Sequence, residues 1–151
     1  MLGELSREQI EHLLHREVVG RIGCHAEGRT YVVPVNYVYD GEFLYGHAAE
    51  GMKLRMMRAN PEICFQVEHR TTLSDWQSVV AWGTFEELAG RDATRAMDLL
   101  LDRLLPLLAR EASPATRDDA RATLAPGTPI ERLAIYRIRL RERTGRYETS
   151  A

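Results

Sequence analysis

No apolar run in this chain approaches the roughly 20 residues that a membrane-crossing helix needs, so a spanning protein is not expected. Cysteine is scarce, with only Cys24 and Cys64 in 151 residues. Both lie in apolar, strand-like runs, where buried free thiols are the expectation and a disulfide framework is not. The five histidines show no HxxxH spacing and the cysteines no CxxC, so no metal site is expected. There is no surplus of positive charge: 20 Lys and Arg against 22 Asp and Glu leave a net charge of −2. The basic residues are mixed with acids, which argues against a nucleic-acid partner. The opening MLGELSREQI lacks the basic and apolar regions of a signal peptide, making a cytoplasmic home the expectation. Also missing are GxSxG, HExxH and any carboxylate pair of telling spacing, so no catalytic side chain is named.

What is present suits an ordinary globular domain. With 44% hydrophobic and 28% charged residues, the chain can build one sizeable core, and residues 1–151 read as a single domain. Ser6 and Gln9 fit a capping box, followed by Ile10, Leu13, Leu14 and Val18 at helical spacing, with Gly20 as the stop. Residues 21–25, 30–39, 42–46, 63–67, 78–88 and 130–141 read as strands, with a polar loop over 69–75 and a polar tail after 141. Val32, Val33, Val35 and Val38 cover both faces of 30–39, which predicts burial on both sides, as in a closed barrel. Pro34 within that strand marks an edge, a bulge or a place where the backbone is diverted to something else, and Gly83 marks a bulge or a close backbone approach. A long helix from Asp92 to about residue 110 carries Ala96, Leu99, Leu100, Leu104 and Leu108 as its stripe, with a kink at Pro106. A further short helix is expected over 115–124. Strands joined by short turns favour antiparallel pairing, with the helices plugging the barrel ends or edges.

The chain is organised around residues 30–68. Asp40-Gly41 is a hairpin turn signal. The strand after it runs into the loop 47–51, and a short helix over 52–59 begins with Met52 and Lys53 and stops at Asn60-Pro61. A lysine beside free N–H groups at a helix start suits a phosphate, although a solvated helix-start lysine has the same spacing. His47 could donate to the same anion, or be a strand-end histidine with a partner elsewhere. Asn36 and Tyr37, after Pro34, could present backbone donors and acceptors to a planar ligand, or be plain sheet residues. Trp76 and Ser78 could wall and hydrogen-bond a heterocycle, or be a core tryptophan and a strand-start serine. The residues by themselves describe a barrel-like domain with one candidate phosphate site.

As an ordered set, VGRIGCH, YVVPVNYVYDGEFLYGHAAEGMKLRMMRANPEICFQVE and WQSVVAWGTFEEL resemble the pyridoxamine 5′-phosphate oxidase-like superfamily. The nearest likeness is to its small flavin-nucleotide-binding branch, which includes nitroimidazole-resistance proteins. The resemblance implies a fold that is mainly β with α: an antiparallel split β-barrel of the FMN-binding type, forming a homodimer with FMN at the subunit interface. It implies that Lys53, with Met52 before it, contacts the FMN phosphate, with His47 and Ala48 around it. It further implies that Pro34, Val35, Asn36 and Tyr37 edge the isoalloxazine ring, and that Ser78 and Trp76 lie near the flavin. The true oxidase carries an RxVLLK-like strand where this chain has YVVPVN, and a YTNxxSRK-like loop of whose basic pair only Lys53 remains. The implied activity is therefore that of a flavin-dependent oxidoreductase acting on a small molecule, not of a pyridoxal phosphate producer. Alternatives on the same fold are F420, for which Arg55, Arg58 and Arg70 could supply charge, or haem, or a flavin-storing module without turnover.

Overall fold

The computed structural model describes residues 1–111 and 132–150. The helix expected over 115–124 lies outside them. Strands β1 (Leu2–Glu4), β2 (Val19–Ala26), β3 (Arg29–Asn36), β4 (Val38–Tyr39), β5 (Phe43–Ala48), β6 (Glu62–Thr72), β7 (Asp75–Leu88) and β8 (Ala134–Glu148) form one antiparallel sheet. Helix α1 (Arg7–Arg16) precedes β2, α2 (Met52–Ala59) links β5 to β6, and α3 (Gly90–Glu111) follows β7.

The sheet runs β3-β2-β6-β7-β8-β5-β4, with β1 added on β8. Strands β3 and β4 are consecutive in the chain yet stand at opposite edges. The chain makes that crossing at Tyr37, which divides the single strand expected over 30–39. Its N–H donates to Val18 O at 3.0 Å and its hydroxyl to Leu14 O at 2.8 Å. The sheet thereby curls until β3 lies against β5, but no ladder joins these two strands among the described residues. This is the split of a split β-barrel.

Local chemistry explains the elements. Ser6 Oγ accepts from Gln9 N–H at 3.2 Å while Gln9 Oε1 accepts from Ser6 N–H at 2.8 Å, the expected capping box. Helix α1 ends at Arg16, before Gly20, because Val19 and Gly20 are already laddered to Asn36 and Val35. Gly20 is laddered in β2, and a Cβ at that position would meet the Phe65 ring. Gly41 adopts φ 102°, and Asp40 Oδ1 accepts from the N–H groups of Glu42 (2.9 Å) and Phe43 (2.7 Å), which closes the β4–β5 hairpin. The expected loop 69–75 is instead the paired end of two strands turning at Leu73-Ser74, and the polar tail continues β8 to Glu148. Cross-strand pairing holds both where apolar alternation fades. Gly83 sits at a register shift, with Ile138 Cγ2 2.8 Å from where its Cβ would be.

The barrel interior holds the main core, including Ile22, Phe65, Val67, Val79, Ala81 and Ile138. Helix α1 contributes Ile10, Leu13 and Leu14 to it, and α2 contributes Leu54, Met56 and Met57. Each such side chain contributes about 1.5–3 kcal/mol by leaving water. A second cluster lies outside the barrel, where Ala96, Leu100, Leu101 and Leu104 of α3 cover Phe43 and Tyr45 of β5. Helix α3 continues through Pro106 to Glu111. The strand buried on both faces is thus β5, not β3. The outer face of edge strand β3 has no covering layer among the described residues, and its Val32 remains 60% exposed.

Candidate functional site

The split brings together most of the side chains that the sequence suggests for a site. A pocket of about 260 Å³ is lined by Pro34, Val35 and Asn36 of β3, His47 and Ala48 of β5, Ala49, and Lys53 of α2. Six of these seven are residues that the sequence suggests; Ala49, a loop alanine with no side-chain chemistry, gives no signal there. The location follows from the backbone. Pro34 has no N–H to donate, and it lies in the strand whose outer edge forms no ladder. Gly46, one residue before His47, packs against Tyr136, whose ring occupies the space of a side chain there.

His47 and Lys53 give the pocket its character. Both ring nitrogens of His47 are buried and have no hydrogen-bond partner among the described residues. Lys53 is half-buried and has no carboxylate or other polar partner among the described residues. Burial first, and then the charge of Lys53, pulls the His47 pKa below its ordinary value. Burial also lowers the Lys53 pKa, opposed by the Cys24 thiol, while burial raises that of Cys24, opposed by Lys53. The first turn of α2 adds N–H groups that no side chain caps, because its N-cap is Gly51. Two donors without acceptors, beside an uncapped helix start and with no carboxylate in the lining, can bind an anion such as a phosphate.

The other sequence-suggested residues lie elsewhere. Tyr37 is buried at 2% exposure, engaged in the crossing rather than lining the pocket. Met52 lines an adjacent cleft of about 410 Å³ with Glu27, Arg29 and Arg55. Trp76 and Ser78 lie within β7, not ahead of it. Trp76 Nε1–H donates to Glu148 Oε2 at 3.0 Å, and Ser78 Oγ accepts from Gln66 Nε2 at 3.1 Å. Of the arginines suggested for F420, Arg58 is occupied by Glu50 (2.8 Å) and Glu87 (2.6 Å), and Arg55 and Arg70 lie in separate clefts.

Beyond Pro34 the outer sheet face carries a hollow of about 620 Å³ across β2, β3, β6 and β7, with Gly23, Val32, Cys64 and Trp82 among its apolar lining and Arg21, Glu62, Gln66 and Arg141 among its polar lining. Cys24 and Cys64 are both free thiols.

The family model for pyridoxamine 5′-phosphate oxidase matches residues 6–147. The chain belongs to the pyridoxamine 5′-phosphate oxidase family. Among its solved relatives is a FAD-binding protein from Mesorhizobium loti, 28% identical, covering 99% of each chain with a TM-score of 0.75. A 5-nitroimidazole antibiotic resistance protein from Bacteroides thetaiotaomicron shares the fold at 18% identity and TM-score 0.72, over 97% of this chain and 87% of that one. An uncharacterized protein of Rhizobium meliloti is 31% identical over 84 residues, 56% of each chain, so the match spans about half the length of that relative.

Proposed function

We propose that this protein binds FMN in the β3–β5 split and acts, as a homodimer, as a flavin-dependent oxidoreductase on a small molecule. The observation that carries the reading is the pair His47 and Lys53, both without partners at the mouth of an unladdered gap. These residues fit the cofactor. Lys53 and His47 would hold its phosphate, and the free edge of β3 from Pro34 to Asn36 would set the plane of its ring. When bound, the flavin supplies hydride and electron transfer, while the chain supplies binding, orientation and shelter from water. One lysine and one histidine beside each other in the lining match a single phosphate group, which favours FMN over FAD.

The apolar hollow around Val32, Cys64 and Trp82 supports the homodimer, because a second copy would cover it and shelter the ring. Two free thiols support a reducing compartment, and we assign the protein to the cytoplasm.

The test is the absorption spectrum and mass of whatever co-purifies, followed by titration with FMN, FAD, F420 and haem. The expected result is a yellow protein that takes up FMN most tightly. Colourless protein with no flavin affinity would refute the reading, and tighter FAD binding would replace the cofactor.

A further inference from the structure

Four arginines gather one strand away from the flavin pocket. Arg16 at the end of α1, Arg21 of β2, Arg70 of β6 and Arg103 of α3 line a groove of about 610 Å³. Among the described residues its only carboxylates are Glu17 and Glu68. Glu68 is shared between Arg21 (3.7 Å) and Arg70 (3.4 Å), and Glu17 lies 3.3 Å from Arg16. Arg103 has no carboxylate partner among the described residues; its guanidinium donates to Arg16 O at 2.7 Å. The groove therefore carries a formal excess of two positive charges on a chain whose net charge is −2.

The groove and the pocket share one surface. In the β2–β3 ladder Val19 pairs with Asn36 and Arg21 with Pro34. Neighbouring strands lie about 4.8 Å apart, so the groove begins where the ring-edging strand ends. Between the two cationic ends stands Val19, an apolar side chain left 49% exposed.

We propose that this groove binds the pyrophosphate of a nicotinamide dinucleotide, the hydride donor to the flavin; this rests on the flavin reading above. The surplus of two charges matches the two of a pyrophosphate diester. Guanidinium forks pair with phosphate oxygens two at a time, which a lysine cannot do. Val18, Val19 and Leu107 supply the apolar walls that a flat base needs, in a volume larger than a small carboxylate fills. The dihydronicotinamide ring is oxidised by loss of a hydride, and the flavin is reduced by that hydride together with one proton from solvent.

The test uses ADP-ribose, which carries the pyrophosphate but no redox ring. Calorimetric titration into the FMN-loaded protein is expected to show binding that weakens as salt rises. Arg70→Gln and Arg103→Gln, singly and together, are expected to weaken it, the double variant at least tenfold, with FMN affinity unchanged. No binding of ADP-ribose to the wild type, or equal binding by the variants, would overturn the proposal. So would ribose 5-phosphate binding as tightly as ADP-ribose. Retained ADP-ribose binding in a protein that takes no FMN would sink the flavin reading alone and leave the pyrophosphate site standing.

Discussion

Burial, and after it the charge of Lys53, lowers the proton affinity of His47 across a pocket whose lining holds no carboxylate. Interiors rarely leave such groups unanswered, because each unpaired buried polar atom costs about 1–3 kcal/mol. On the function proposed above, the missing counter-charge is the ligand's. An anion that enters gains two donors already held in place by β5 and α2.

Lys53→Ala removes the stronger of the two. One charge-assisted contact is worth about 1.5–3 kcal/mol, so FMN affinity is expected to fall about tenfold to a hundredfold. Tm should be unchanged or slightly raised, since a half-buried unpaired cation is lost. Fluorescence titration of FMN checks this, and unaltered affinity would remove Lys53 from the phosphate site.

The ligand-free protein should lose stability on mild acidification. Above the ordinary histidine value of 6.5, His47 is neutral in both folded and unfolded chains. As pH falls through 6.5, the unfolded chain takes the proton first, because the folded value is depressed. Stability therefore falls from there until the folded value is also passed. His47→Gln should flatten Tm between pH 7 and 5 relative to wild type; an identical slope in both would contradict the assignment.

Tyr37→Phe deletes the hydroxyl that bonds Leu14 O at 2.8 Å in the last turn of α1. The buried carbonyl left behind should cost about 1–3 kcal/mol. Urea unfolding measures it, and FMN affinity is expected to change little because the hydroxyl points into the core and not the pocket.

Val32→Asp tests the covered face. Val32 is 60% exposed in a single chain, so the change should leave the monomer folded. A charge set in the apolar hollow beside Trp82 should instead lower the molecular mass in solution from dimer to monomer, read by light scattering. A variant that stays dimeric would move the interface elsewhere.

Much of this arrangement was legible in the residues themselves. Ser6 with Gln9, Asp40 with Gly41, and Pro34 each bring local chemistry that fixes one backbone event, and each does what its chemistry demands. The bounds of α2 follow from Gly51 and from Asn60-Pro61 in the same way. What the sequence hides depends on distant partners. Nothing local in the valine-rich run announces that Tyr37 divides it, because the acceptors are Val18 and Leu14. The groove of Arg16, Arg21, Arg70 and Arg103 draws on four separate elements, and single arginines spaced along a chain look like solvated surface. Trp76 and Ser78 follow a flavin-site pattern in sequence, yet the strand pairing of β7 gives them Glu148 and Gln66 as partners.

Strand β8 forms ladders with β1, β5 and β7, and it is the last of the described strands to be synthesised. Until it emerges from the ribosome, β5 has only the two-residue β4 to pair with, and β1 has nothing. The nascent chain must therefore carry both sides of the β3–β5 split unassembled, β3 on one hairpin and β5 on another. Such a chain exposes unpaired strand edges for most of its translation, and a stalled or truncated product ending before residue 134 is an aggregation substrate rather than a shorter version of the protein.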